Sequence, residues 1–402
     1  MKTRFLGKLA GAAGAAALLA GLPAQAQDIK VGLLGGITGP IAAMAPPMVD
    51  AAKLAFSQVN AGGGILNGRK IETVVGDSGC NPQAGTDAAT KAANIDRVIA
   101  LVGPHCSGAV LAVANSVAVP AGVLLVTPSG TSPAITALAD RDLVYRTVPS
   151  DDYQGRALAR TVKARGIGSV AVTYLNNDYG KGLGEAFKAE FEAIGGKVAA
   201  YSGHEEGKAS YRSELAQLAR SGADTLVVFD YGDGTGLTML RQALENRMFK
   251  NYIGADGMKS DAVIKALGAD NLKTFFTSAP VGEAGASKQA FDKAFSAAGG
   301  RPDAIFAGNS YDAAFLVALA IEHAGGDRSK LAASLRAVSS APGEAILPGE
   351  WAKAKQAIAQ GRDIDYKGAT GDHEFDKSGD VPGAYAFFGV KGSTYEALAA
   401  MK

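Results

Sequence analysis

A chain of 402 residues with 47% hydrophobic side chains has the material for a large buried core, and its length points to two domains rather than one. Forty basic against 39 acidic residues leave a formal charge of +1, which offers no general attraction for nucleic acid or an anionic membrane surface. The 52 glycines exceed the ordinary share of about 7% and predict many tight strand-to-helix turns.

Residues 1–26 read as a secretory signal peptide. Lys2, Arg4 and Lys8 precede the apolar run LAGAAGAAALLAGL, and LPAQA ends in Ala24-x-Ala26, a cleavage pattern that predicts processing after Ala26. The run is shorter than the roughly 20 residues of a spanning helix. An uncleaved anchor is the other reading, and no Cys follows for a lipid anchor. Removing the three leader charges leaves 37 basic against 39 acidic residues, a mature net charge of −2.

The mature chain opens with the strand of DIKVGLLGGITGP. PPMVDAAKLAFSQVNAGGG follows, with Met48, Ala51, Ala52, Ala55, Phe56 and Val59 at helical spacing, prolines at its start and glycines past its end. The alternation then repeats: KIETVVGD strand, PQAGTDAATKAANI helix, RVIALVG strand, SGAVLAVANSVAV helix, VLLVTPS strand. A second series begins near residue 150 with the helix DDYQGRALARTVKARG. It runs through the strands SVAVTYLN, KVAAYSG, DTLVVFDY and YIGADG, with helices between them. Apolar strands alternating with helices mean βαβ units and parallel sheets buried on both faces. Two α/β lobes joined near Tyr145–Pro149 are expected, then a helical stretch from about Ala286 to Gln360, then the strand and turn of HEFDKSGDVPGAYAFFGV.

Cys80 and Cys106 are the only cysteines. An even count in an exported chain predicts one disulfide, closing a loop of 26 residues. Two free thiols, or a nucleophilic Cys106 beside His105, are the competing readings.

Ligands of open α/β sheets bind beyond the carboxyl ends of the strands. The loops there include GPHCSG, TPSGTSP, LNNDYGKG, DYGDGTG and ADGMKS. Ser107 opens a helix, where a hydroxyl and backbone N–H suit an anion. Ser129, Gly130 and Thr131 form a turn with a hydroxyl and free backbone groups. Asp256 in the second series faces a cation, with Tyr179 and Tyr231 as aromatic neighbours. An anion socket opposite a carboxylate suits a zwitterion such as an amino acid. Each feature also has a plain reading: Ser107 and Thr131 as helix caps, Asp256 as a turn residue beside Gly257, the tyrosines as packing. YGKGLGEAF and DYGDGTG lack the dinucleotide spacing, there is no GxxxxGK[ST] or GxSxG, and His105, His204, His323 and His373 form no HExxH, so no cofactor or metal is expected. DKSGD at 376–380 reads as a surface turn, since a calcium loop is longer and ends in Glu.

Taken in order, VGLLGGITGP, NAGGGILNGRKI, the cysteine pair, VTPSGTSP, NNDYGKG, GADG and YKGATGDHEFDKSGDV resemble the periplasmic leucine/isoleucine/valine-type binding proteins of ABC transporters, over essentially the whole mature chain. The resemblance implies a type I periplasmic binding protein fold: two doubly wound parallel-sheet lobes joined by three crossovers. Residues 27–147 and 278–364 would form the first lobe, residues 148–277 and 365–402 the second. It implies that Ser107 and Thr131 hold a ligand carboxylate, Thr131 through hydroxyl and backbone N–H. The Ser129 carbonyl and Asp256 would take the ammonium, with Gly130 in the same turn. Tyr179 and Tyr231 would close from the second lobe, and Met44 and Phe306 would border the side-chain pocket. Met44 where leucine-type receptors carry an aromatic, Asp256 in place of Glu, and a glycine-rich DYGDGTG depart from the pattern and bear on specificity. A monomeric periplasmic receptor delivering an amino-acid-like solute to ABC permease subunits is the expected function. A receptor for an amide, urea or aromatic carboxylate, a sensing subunit, and an exported enzyme are its rivals.

Overall fold

The computed structural model describes residues 27–401 together with Met1; the expected leader and its cleavage site lie outside the described residues. Strands β1 (Ile29–Gly35), β2 (Ile71–Asp77), β3 (Ala100–Val102), β4 (Leu124–Thr127) and β5 (Val144–Arg146) form an all-parallel sheet in the order β2-β1-β3-β4-β5. Val31 and Leu33 of β1 point into one core and Leu34 into another, so helices cover both faces. The helix Ala45–Ala61 buries Met48, Ala51, Ala52, Ala55, Phe56 and Val59 and ends at Gly62, as its periodicity predicts. Asn60 near its end accepts Ile71 N–H at 2.8 Å and donates to Ile71 O at 3.0 Å, which fixes where β2 begins.

Strands β6 (Ser169–Leu175), β7 (Lys197–His204), β8 (Thr225–Phe229), β9 (Asn251–Gly254) and β10 (Phe275–Val281) build the second sheet. A small third sheet holds β11 (Glu344–Ile346), β12 (Ile364–Gly368) and β13 (Gly371–Asp372). The chain then re-enters the second sheet as β14 (Ala384–Lys391) and β15 (Thr394–Met401), giving the order β15-β14-β10-β9-β8-β6-β7. Pairing is parallel from β7 to β10 and antiparallel at β14 and β15. The expected two-lobe α/β fold is thus present, with crossovers at residues 147–150, after Val281, and between Val381 and Ala384.

Two expected boundaries differ. Residue 278 lies inside β10, whose ladder to β9 and β14 holds it in the second sheet. Residue 365 lies inside β12, and Tyr366 is buried in the first lobe's core against Phe315. The expected helical stretch 286–360 consists of four α-helices broken by turns and β11. Among them the helix Ala307–His323 is buried around most of its circumference and packs on Ala45–Ala61, as an apolar helix without a polar face must.

Cys80 and Cys106 are bonded, with Cα atoms 5.2 Å apart, and tie the loop after β2 to the loop after β3. Cys106 is therefore no free nucleophile. Replacing both cysteines with serine should lower stability by about 3.5 kcal/mol in a urea titration, because a 26-residue loop is released in the unfolded chain. The unreduced protein should weigh two protons less than the reduced one; full thiol labelling without reductant would contradict the bond.

Candidate functional site

The loops at the carboxyl ends of the two parallel sheets meet in one cleft. Its first wall comes from the segments after β1, β3 and β4, its second from those after β6, β8 and β9. Eight of the nine residues singled out from the sequence line it: Met44, Ser107, Ser129, Thr131, Tyr179, Tyr231, Asp256 and Phe306. Gly130 does not, because its Cα faces Val110, Thr127 and Ile135, and its N–H donates to Thr127 Oγ1 at 3.0 Å. Ile41, Met48 and His105 line the cleft as well and carried no signal in the sequence beyond their nearness to those loops.

Gly103 has φ +91 and a Cβ there would lie 2.2 Å from Leu34 O, so only glycine lets the β3 loop pass this close to β1. That approach brings Ser107 to the turn after β4. Ser107 Oγ accepts Thr131 N–H at 3.2 Å and Ser132 N–H at 3.1 Å. Its own proton stays available for an acceptor in the cleft. The Thr131 N–H expected to face a carboxylate is thus engaged by Ser107, and Thr131 Oγ1, fully buried, is the unpaired group. Ser129 Oγ donates to His105 O at 2.8 Å, locking the two loops together.

Arg146 holds this turn from beneath. It is wholly buried, with Nη1 donating to Thr131 O at 2.9 Å and Ser132 O at 3.1 Å. Its Nε and Nη2 grip the two oxygens of Asp380, each at 2.6 Å, and Nη2 also meets Thr136 Oγ1. The bidentate geometry is one only a guanidinium supplies.

The second wall is acidic. Tyr179 Oη donates to Asp256 Oδ1 at 2.5 Å and accepts Gly257 N–H at 3.1 Å. A side chain at Gly257 would lie 2.6 Å from Asp230 O and 2.9 Å from Tyr179 Oη, so glycine is required for this approach. Tyr231 stacks on Tyr179 with centroids 5.0 Å apart. Behind it His204 bridges Thr173 Oγ1 at 2.7 Å and Asp230 Oδ2 at 2.8 Å, and Asp230 Oδ1 accepts Tyr231 N–H at 2.6 Å. Burial lifts the Asp256 carboxyl to about 6 against the pull of its hydrogen bonds. Asp151, at the start of the helix Asp151–Ala164, is held well above the usual range by burial and then by the charge of Asp256. Gln154 links the pair: it donates to Asp151 Oδ1 at 3.1 Å and accepts Asp256 N–H at 3.2 Å. Asp151 Oδ2 has no hydrogen-bond partner among the described residues. Burial and mutual repulsion therefore oppose full ionisation of both carboxyls, and a cation nearby would relieve that opposition.

The lobes touch beyond the cleft. Asp233 Oδ2 accepts Ala43 N–H at 2.9 Å and Met44 N–H at 3.2 Å, reaching from the DYGDGTG loop to the start of the helix Ala45–Ala61. Phe306 caps the helix Ala307–His323 at φ +59, an uncommon conformation for a bulky residue, and borders the cleft beside Met44. Among the described residues no cluster of His, Cys, Asp and Glu has the makings of a metal site.

A family model described as periplasmic binding protein matches residues 28–385. The leucine-, isoleucine-, valine-, threonine-, and alanine-binding protein of Pseudomonas aeruginosa is 31% identical over 315 residues, spanning 78% of this chain and 83% of that protein. The branched-chain amino acid transporter substrate binding protein LivJ of Streptococcus pneumoniae, solved with isoleucine, superposes with a TM-score of 0.79 at 24% identity, covering 94% and 100% of the two chains. A solute-binding protein of R. palustris solved with benzoate gives 0.74 at 22% identity, covering 93% and 96%.

Replacing Arg146 with Met should cost about 3–5 kcal/mol in a denaturant titration, because Asp380 and two carbonyls lose their buried partner. Arg146→Lys should recover less than half of that loss, since an ammonium cannot grip Asp380 and the turn together. Equal stability of the Lys variant and wild type would exclude the fork as the support of the turn.

Proposed function

Because the chain belongs to the periplasmic binding protein family, we propose that it is an exported receptor that captures a small α-amino acid between its lobes and delivers it to an ABC permease. The observation that carries this reading is the pairing of a donor wall with a buried acidic wall across one cleft. Ser107 and Thr131 offer hydroxyl protons for a carboxylate, and Asp256, with Asp151 buried near it, offers negative charge for an ammonium. The Ser129 carbonyl joins the ammonium side. Ile41, Met44, Met48 and Phe306 leave an apolar surface for a side chain of branched-chain size. Similarity to the amino-acid-binding relative from Pseudomonas aeruginosa supports the same ligand class.

An aromatic carboxylate, such as the benzoate held by the R. palustris protein, would satisfy the donor wall but leave the buried Asp256 carboxyl without a cation in the cleft. That cost favours the zwitterion. Capture proceeds by hinging at the three crossovers, with the ligand first held by the donor wall. Closure is favoured only by what the second lobe adds: Asp256, the stacked tyrosines, and the Asp233 bonds to Ala43 and Met44. We infer binding without turnover, a monomer, and a periplasmic location reached through the leader. No described helix is long and apolar enough to cross a membrane.

Calorimetric titration with leucine, isoleucine, valine and their desamino analogues tests the reading. Wild type should prefer the amino acids strongly, and Asp256→Asn should abolish that preference by weakening amino-acid binding by several kcal/mol. Equal affinity of wild type for an amino acid and its desamino analogue would rule out the ammonium site. Ser107→Ala and Thr131→Ala should each cost roughly 1.5–3 kcal/mol, the worth of a hydrogen bond to a charged group.

Affinity should also fall as pH drops through about 6. There Asp256 takes up a proton in the free protein, while the ligand ammonium holds the bound form's carboxyl ionised; binding then releases a proton and weakens with acidity. The dependence should vanish in Asp256→Asn.

A further inference from the structure

His105 is the one cleft-lining side chain for which the zwitterion reading has no use. It is 2% exposed and lines the cavity together with Ile41, Met44 and Met48. One ring nitrogen is accounted for: Nδ1 accepts the Gly36 N–H at 3.3 Å. An acceptor at Nδ1 requires the proton on Nε2, because a proton on Nδ1 would set two donors against each other. Burial pushes the imidazole down to about 4, so the ring is neutral and the tautomer is set by Gly36. Nε2–H is then a donor, and it has no partner among the described residues. The Cε1 edge of the ring lies near Gly35. A buried donor without an acceptor is costly, and native proteins rarely keep one without a use. A leucine or phenylalanine here would complete the apolar pocket without that cost.

We propose that His105 donates from Nε2 to an acceptor atom on the ligand's side chain, so that the preferred solute is an α-amino acid bearing a side-chain oxygen rather than hydrocarbon alone. The proposal rests on the amino-acid reading above and narrows it. The head group stays with Ser107, Thr131 and Asp256. Met44, Met48 and Ile41 pack on the aliphatic part of the side chain, and His105 selects a hydroxyl or carbonyl among them. A site built to hydrogen-bond a ligand oxygen rejects the hydrocarbon isostere strongly, because the isostere leaves the donor buried and bare.

Two nearly isosteric pairs test this by calorimetry: threonine against valine, and asparagine against leucine. Wild type should bind the oxygen-bearing member at least tenfold tighter in one of the pairs. His105→Leu should cancel or invert that preference, and His105→Gln, whose amide places an N–H near the position of Nε2, should keep it. Thermal melts establish that each variant is folded; should the Leu variant fail to fold, the wild-type ratios and the Gln variant decide. Wild type preferring valine and leucine in both pairs, or a preference unchanged in His105→Leu, overturns the role of His105 while leaving the amino-acid reading intact. Failure of wild type to bind any of the four overturns the amino-acid reading, and this inference with it.

Discussion

The cleft depends on one buried cation. Arg146 ends β5 at the point where the chain leaves the first lobe, and its guanidinium is fully enclosed. Its donors divide between the two oxygens of Asp380, 234 residues away, and the carbonyls of Thr131 and Ser132. One planar group thus joins the first crossover, the turn after β4 and the segment that leads into the third crossover. With two carbonyls of that turn drawn inward, the Thr131 hydroxyl is buried without a hydrogen-bond partner among the described residues. A charge buried this deeply is tolerable only because its fork is met on several sides.

The two walls of the cleft differ in kind, and the difference follows from how each is built. The first wall is a set of neutral donors on loops that a disulfide and hydrogen bonds tie together: Cys80 to Cys106, Ser107 to the Thr131 turn, Ser129 to the His105 carbonyl. Its shape exists before any ligand arrives. The second wall stores electrostatic tension. Asp151 and Asp256 are both buried, are linked through Gln154, and cannot both carry a full charge at low cost. In the proposed reading a cation between the walls would relieve that tension, with the second wall driving closure and the first orienting the ligand. Asp233 adds a contact made only when the lobes are together, on backbone N–H groups at the start of the helix Ala45–Ala61.

Legibility differed from element to element for definable reasons. The helix Ala45–Ala61 and the parallel strands were plain because apolar period and flanking Pro or Gly agree with the final packing. Strand β15 was not: TYEALAAM carries no strand signal, and it pairs only because β14 presents an edge to it. The β10 boundary was misplaced because a strand that belongs to one sheet is followed at once by chain that packs in the other lobe. Gly130 was grouped with its neighbours by position in the turn, whereas its Cα faces the first lobe's core.

By itself the sequence determined the alternation of strands and helices, the two lobes, the cysteine pair and the set of loops that line the cleft. Each of these rests on local periodicity, turn chemistry or composition, which act within a few residues along the chain. Ser107, Thr131, Tyr179, Tyr231 and Asp256 were legible for the same reason, since each sits where a strand ends. Only the tertiary structure decided that Arg146 meets Asp380, that Asp151 lies beside Asp256, and that His105 keeps one nitrogen free. These are relations between segments up to 234 residues apart. No residue of either partner announces them, because burial and charge coupling arise only when the segments are packed together and water is gone.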